Sequence, residues 1–178
     1  MLRAWTQLAA AQGTTQQGDL SNLNRIQDHI VAVSRESADE FFRYALAVAE
    51  DRLDWQPEQI GQSVLSMARE IAVTPEWAMS VLTDKASTDE ERSANAALMK
   101  SWKSIEQCQA EFGPRFEVWA EYVAAIPDEE LSGTKWLPYN GGRDHTILEL
   151  LEYVRWNCAY HVGQVAYIQT LYGDKALY

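Results

Sequence analysis

The sequence predicts an all-α protein, a single four-helix-bundle domain spanning residues 1–178. Over four long stretches, apolar residues recur at the three- and four-residue spacing of helices with one buried face. Two capping signals of the form Thr-x-x-Glu, at Thr88 and Thr146, mark helix starts. With 178 residues, 47% of them hydrophobic, the chain can bury one substantial core without disulfides.

Composition narrows the classes of function. A formal net charge of −11 argues against nucleic acid, whose phosphates need Lys and Arg. No apolar run approaches the roughly 20 residues of a membrane span, and the first residues lack the apolar core of a signal peptide. Two cysteines without a CxxC pair indicate no disulfide framework. We therefore expect a cytoplasmic protein with neither nucleic acid nor membrane as a partner.

The first long helix is expected after a short N-terminal arm, residues 1–20, with Ser21 or Asn22 as its cap. His29 flanks the buried face of this helix, and we interpret it as a boundary histidine without a ligand role. The apolar stripe is predicted to run through Leu23, Ile26, Ile30, Val33, Ser37, Phe41, Tyr44 and Val48.

Ser63 is predicted to cap the second helix, which Pro75 should kink or restart because proline lacks a backbone donor. The third helix is predicted to run from Leu98 to Ile126 as one kinked helix, since its apolar spacing crosses Gly113-Pro114 unbroken. Residues 127–145, rich in glycine and proline, are expected to form a long irregular loop before the last helix. That loop carries Trp136 and Tyr139.

The last helix is predicted from Thr146 to Gly173. Asn157 and His161 lie one turn apart on its buried side, where polar groups are costly unless they bond to something. Function is therefore expected here. The apolar positions that define this side are Ile147, Leu150, Val154, Cys158, Val165 and Ile168.

The run His161-Val162-Gly163-Gln164, with a polar residue four positions before it, resembles the end of the last helix in the DinB/YfiT-like family. Trp55-Gln56-Pro57, followed by Ser63-Val64, resembles that family's entry into its second helix. The resemblance implies a four-helix bundle. In many members it also implies a divalent metal held by a histidine of the second helix and a His-x-x-x-His pair of the fourth.

Carried over to this chain, the implied metal ligands are Glu70, Asn157 and His161. Two of the three depart from the family's histidines. A carboxylate ligates zinc, nickel, manganese or iron, whereas an asparagine offers only its amide oxygen. The resemblance thus implies one divalent ion and a thiol-linked transferase acting on a small-molecule or thiol substrate. The alternative is a metal-free polar cluster in a non-catalytic bundle that binds a small ligand or a protein.

Further expectations concern Gly163, Gln164 and the exposed surface. Inside a helix, Gly163 lowers stability by about 1 kcal/mol relative to alanine, and close approach of another helix would offset that loss. Gln164 is a candidate to orient His161. The apolar arm, the tryptophan-bearing loop and the seven tryptophans of the chain predict exposed apolar surface. A homodimer is the expected consequence.

Overall fold

The computed structural model describes residues 25–85, 87–137 and 142–174. In these ranges the chain forms six α-helices and one two-stranded antiparallel hairpin, so the all-α prediction is confirmed. The helices are α1 Ile26–Leu46, α2 Val64–Leu82, α3 Asp89–Ser101, α4 Ile105–Ala125, α5 Ile147–Leu151 and α6 Tyr153–Leu171, and the strands are β1 Thr134–Leu137 and β2 Arg143–Thr146. The predicted arm and the candidate caps Ser21 and Asn22 lie outside the described residues.

The four long helices α1, α2, α4 and α6 make the bundle. Helices α2 and α6 run antiparallel. Asn157 contacts Thr74, whereas His161, one turn later in α6, contacts Glu70, one turn earlier in α2. Helices α1 and α4 are also antiparallel, as the Gln27 side chain binds the Ile126 carbonyl. Helices α2 and α4 are parallel, and Arg115 joins Glu76 across them. Helix α3, which buries no residue, carries the chain back between them, so the bundle has a crossover connection.

Apolar side chains from all four long helices fill the space between them. Burying each large one stabilises the fold by about 1.5–3 kcal/mol relative to exposure. The largest fully buried apolar side chains are Trp119, Phe41, Phe42, Phe116, Ile30, Met67, Ile71, Ile105, Leu151 and Val64. Within the described part of the chain, no helix is both long enough and apolar enough to span a membrane.

The predicted helix starts are confirmed where the structure describes them. Ser63 accepts a hydrogen bond from the Ser66 backbone and begins α2. Thr88 begins α3 with a complete capping box. Thr146 does the same for the last helical segment, where the Glu149 carboxylate accepts a bond from the Thr146 backbone N–H. Such caps contribute about 1 kcal/mol each, because they satisfy backbone donors that a helix start leaves free.

The predicted third helix is wrong at its start, because α3 and α4 are separate helices. The chain leaves helical geometry at Trp102, whose carbonyl accepts two bonds from the Arg69 guanidinium. Ser104 then caps α4. From there the helix continues through Gly113 and Pro114, as predicted.

Of the kink or restart predicted at Pro75, the restart does not occur, since α2 is a single helix across it, and the kink stays a prediction. In that turn the Thr74 hydroxyl donates to the Glu70 carbonyl. The predicted last helix is interrupted at Glu152, between α5 and α6. Apolar spacing does not reveal this interruption, because the two segments keep the same buried side.

The apolar stripe of α1 differs from the predicted one. Ile26 is 43% exposed, and Val33 and Ser37 are only half-buried. The helix packs on both α4 and α6, so its buried face also includes small and polar residues that carry little hydrophobic signal. The buried residues are Gln27, Ile30, Ser34, Ala38, Phe41, Phe42 and Ala45.

The segment before the last helix is less irregular than predicted. A short 3-10 helix, Asp128–Glu130, leads into strands β1 and β2, which pair from Thr134 opposite Thr146 to Leu137 opposite Arg143. Trp136 is 63% exposed on this hairpin. Tyr139 lies outside the described residues.

Candidate functional site

The three residues that the sequence singled out lie together between α2 and α6. Glu70 projects from the middle of α2, and Asn157 and His161 project from successive turns of α6. The imidazole Nε2 of His161 lies 3.2 Å from the Glu70 Oε1 atom, and the Asn157 amide nitrogen lies 3.5 Å from the same oxygen. Antiparallel packing of the two helices produces this convergence.

His161 is enclosed in the bundle, with its side chain only 3% exposed. Its second ring nitrogen, Nδ1, lies 2.6 Å from the Gln164 Oε1 atom. The rings of Phe41 and Tyr160 meet the imidazole edge-on from two sides, with centroids 6.3 and 5.3 Å away. Gln164 therefore holds the ring from one end while Glu70 meets it at the other, as predicted for an orienting residue.

Asn157 is held by a chain of hydrogen bonds. The single hydroxyl hydrogen of Thr74 is donated to the Glu70 carbonyl at 2.9 Å, so only its lone pairs face Asn157. The Asn157 amide nitrogen donates to that hydroxyl at 3.0 Å. This chain selects one orientation of the amide, in which its NH₂ group is turned toward Thr74 and Glu70.

Glu70 differs from its two neighbours because it reaches solvent, with 41% of its side chain exposed. Its second carboxylate oxygen, Oε2, accepts a hydrogen bond from Gln62 at 3.1 Å. The hydrogen bond to His161 is the largest influence on the Glu70 carboxyl and lowers its pKa below the ordinary value. Partial burial opposes this lowering, and the bonds from Gln62 and Asn157 add to it. The carboxylate is therefore ionised at neutral pH.

An open cleft of about 250 Å³ lies beside these residues, between α2 and α6. Its walls include two aromatic rings, Trp77 and Tyr153, whose centroids are 4.4 Å apart. Neither ring was predicted to belong to the site. The signal was present in helical spacing, because Trp77 follows Glu70 by two turns and Tyr153 precedes Asn157 by one. The lining residues are Glu70, Val73, Thr74, Trp77, Tyr153 and Asn157.

The resemblance implies a divalent ion at this site, so we ask whether these three side chains can act as its ligands. Glu70 and His161 present a carboxylate oxygen and an imidazole nitrogen to each other. Asn157 presents an NH₂ group, which cannot ligate a cation, because the bond to Thr74 turns its oxygen away. Within residues 25–85, 87–137 and 142–174, no group of three or more His, Cys, Asp or Glu side chains is placed to hold a metal. The arrangement supplies two ligand atoms where the resemblance implies three, so it does not fit that ion.

Fold and site together define a class of protein: a crossover four-helix bundle whose cleft, between its second and last long helices, is lined by both polar and aromatic side chains. A family model described as the DinB superfamily matches residues 1–165. The chain belongs to the DinB superfamily. A comparison with curated proteins finds no match.

Proposed function

We propose that this protein is a metal-free binding protein whose cleft between α2 and α6 takes a small organic cation. The observation that supports the proposal is the position of Glu70. Its carboxylate is half-exposed, is ionised at neutral pH, and lines the same cleft as the rings of Trp77 and Tyr153. A carboxylate next to aromatic rings is the combination that attracts a cationic head group.

Charge in and around the cleft supports a cation over other ligands. None of the six lining residues is Lys, Arg or His, so Glu70 is the one charged side chain among them and would repel an anionic ligand. The net charge of −11 adds a long-range attraction for cations and a repulsion for anions. Asn157 and Thr74 add polar groups beside Glu70 that are already bonded to each other.

The size of the cleft limits the ligand. At about 250 Å³ it lies just below the roughly 300–1,000 Å³ range of pockets for drug-sized ligands. It therefore suits a molecule of about one aromatic ring with a short cationic arm. Val73, Trp77 and Tyr153 would contact the ring, and Glu70 would contact the charge.

Calorimetric titration with three probes of one shape tests this proposal. Benzylammonium, benzyl alcohol and benzoate share a ring and differ in charge. We expect benzylammonium to bind at least tenfold more tightly than benzyl alcohol, and benzoate not to bind. Glu70→Gln should remove the preference for the cation, whereas Glu121→Gln, at an exposed position of α4, should leave it unchanged. Equal affinities for the three probes, or no binding of benzylammonium, would contradict the proposal.

A second candidate function retains the divalent ion and the thiol-linked transfer that the resemblance implies. The observation that favours it is the 3.2 Å approach of Glu70 Oε1 to His161 Nε2, a separation that two ligands of one ion also show. Zinc, nickel, manganese or iron would then be held by two protein ligands and solvent. A metal site at Glu70, Asn157 and His161 stays a prediction, and metal titration of the unfolding midpoint decides between the two candidates.

A further inference from the structure

The turn before α2 holds a strained backbone and leads directly to Gln62. Glu58 and Gln59 have φ angles of +53° and +61°, in the left-handed region that favours glycine. Strain of this kind persists only where the surrounding structure holds it, and it is concentrated at functional sites. The turn is closed by two backbone hydrogen bonds to the Pro57 carbonyl, at 3.2 and 3.0 Å. The chain therefore maintains an unfavourable conformation immediately before Gln62.

The chain is also held in place after Gln62. The Ser63 hydroxyl caps α2, and the Leu65 backbone N–H donates to the Leu53 carbonyl at 3.0 Å. The Gln62 side chain is itself exposed, so burial does not explain its position. Its Nε2 atom donates a hydrogen bond to the Glu70 Oε2 atom at 3.1 Å. The strained turn and the helix start thus hold a carboxamide beside the carboxylate of the cleft.

The two oxygens of the Glu70 carboxylate have different neighbours. Oε1 meets two residues of α6, with His161 Nε2 at 3.2 Å and the Asn157 amide nitrogen at 3.5 Å. Oε2 accepts the bond from Gln62, and no other described residue donates to it. An ionised carboxylate offers about four lone-pair positions, two on each oxygen. The position that remains for a ligand is therefore on Oε2, next to the Gln62 carboxamide.

Gln62 adds a second acceptor at this end of the cleft. Its NH₂ group is the part that bonds to Glu70, so the carbonyl oxygen of the same carboxamide remains as an acceptor. Among the residues that the structure describes, none donates to that oxygen. A primary ammonium ion has three N–H hydrogens and can donate one to Glu70 and another to Gln62. A quaternary ammonium ion has none to donate.

We infer that Gln62 makes the cleft select a primary ammonium ion over a quaternary one, which rests on the proposed function and narrows its ligand to primary amines. A quaternary ammonium ion is recognised by aromatic rings that surround it. Here the rings of Trp77 and Tyr153 contact each other, with centroids 4.4 Å apart, so a cation cannot fit between them. Its methyl groups would also cover the Glu70 and Gln62 oxygens without supplying donors. A site built to hydrogen-bond its ligand rejects an analogue that lacks the donor.

Calorimetric titration of the full chain with benzylammonium and benzyltrimethylammonium tests this selection. The wild type should bind benzylammonium about tenfold more tightly than the quaternary ion. Gln62→Met keeps the length of the side chain and removes its hydrogen-bonding atoms. It should lower that ratio below about threefold, because benzylammonium loses one acceptor and the quaternary ion loses none. Gln109→Met, at an exposed position of α4, is the matched control and should keep the wild-type ratio.

The possible outcomes distinguish the selection from the cation site itself. A wild type that does not bind benzylammonium would overturn both. If benzylammonium binds, equal affinities for the two cations would overturn the selection and leave the cation site in place. The same conclusion would follow if Gln62→Met kept the wild-type ratio. A purely structural role of Gln62 would weaken the binding of both cations by the same factor, so it would give that unchanged ratio.

A second measurement locates the contact. The side-chain NH₂ signals of Gln62 in a proton–nitrogen correlation spectrum can be assigned by their loss in Gln62→Met. These signals should shift when benzylammonium is added, because the ligand binds to the oxygen of the same carboxamide and to the carboxylate that the NH₂ group contacts. The signals of Gln109 should not move. Unmoved Gln62 signals at saturating benzylammonium would show that the ligand binds elsewhere and would overturn the inference.

Discussion

The Thr74 hydroxyl accepts a hydrogen bond from the Asn157 amide at 3.0 Å and thereby decides which end of that amide faces Glu70. Thr74 was not among the residues singled out from the sequence, yet it controls the chemistry of one that was. Its only hydrogen is donated to the Glu70 carbonyl, so Asn157 must supply its NH₂ group. A buried asparagine on an apolar helix face thus becomes a donor in a polar cluster.

Replacing Thr74 by valine should destabilise the protein by about 1–2 kcal/mol, because the buried Asn157 amide loses its acceptor. Thr170→Val is the matched control. Thr170 makes the same bond to a carbonyl one turn earlier, at 3.0 Å from Ala166, but it is exposed. That control should change stability by less than about 0.5 kcal/mol. Urea unfolding measures both variants, and equal losses would show that the Asn157 bond contributes nothing.

The two cysteines should be unreactive in the folded protein. Burial raises the pKa of the Cys108 thiol to about 11 and that of Cys158 to about 12. Thiolate is the reactive form, so a disulfide-exchange reagent at pH 8 should label neither residue in the native state and both in denaturant. Rapid labelling of one thiol without denaturant would contradict the enclosed position of that residue.

The same shift predicts a loss of stability at alkaline pH. The folded pKa of Cys158 lies above the ordinary value of 9.0, so the unfolded chain releases the proton first as the pH rises. The stabilising contribution is complete below pH 9.0 and declines above it, by about 1 kcal/mol at pH 10. Cys158→Ala should remove this component. The measurement is the stability difference between wild type and variant at pH 8 and pH 10, and a constant difference would contradict the prediction.

Two glycines inside helices have room for a side chain. A Cβ atom at Gly113 in α4 or at Gly163 in α6 would meet no atom within 4 Å, and neither residue has positive φ. Alanine at each position should therefore stabilise the monomer by about 0.5–1 kcal/mol, through the higher helix propensity of alanine. Gly142→Ala should destabilise, since Gly142 has a φ of +77° and its Cβ would lie 2.6 Å from the Trp136 ring. Thermal unfolding at low protein concentration measures all three.

Local signals predicted the parts of the fold that depend on local chemistry. The capping boxes at Thr88 and Thr146 and the cap at Ser63 are where the sequence places them, because each needs only residues within one turn. The break at Trp102 depends on Arg69, which is 33 residues away in sequence. Strands β1 and β2 contain several charged residues and are four residues long, so they lack the apolar alternation that identifies a strand.

At the site, too, local sequence patterns predicted some features, and contacts between distant residues determined the others. The helical spacing of apolar residues placed Asn157 and His161 on one buried face, and the resemblance pointed to Glu70 as their neighbour. The structure brings the three together. That spacing alone did not show that the Glu70 side chain reaches solvent while the His161 side chain is enclosed. The rings of Trp77 and Tyr153 were missed for a related reason, since a tryptophan or tyrosine on a packed face is ordinarily part of the core.

Metal titration decides between the two candidate functions. For a metal-free cluster, the unfolding midpoint of untagged wild type should not move with chelator or with added zinc, manganese or nickel. Glu70→His combined with Asn157→His should then create a zinc site, because three imidazoles would face one point between α2 and α6. At zinc a hundredfold above its dissociation constant, this double variant should gain about 2.7 kcal/mol.

His161→Ala supplies the control for that experiment. In the double variant it should abolish the zinc response, because the third imidazole is lost. In the wild type it should destabilise by about 1–3 kcal/mol with or without metal, since Gln164 and Glu70 both lose the ring they contact. A wild-type midpoint that rises with one of these ions, and no longer rises in His161→Ala, would contradict the metal-free proposal. The divalent-ion candidate would then take its place, with Glu70 and His161 as the ligands.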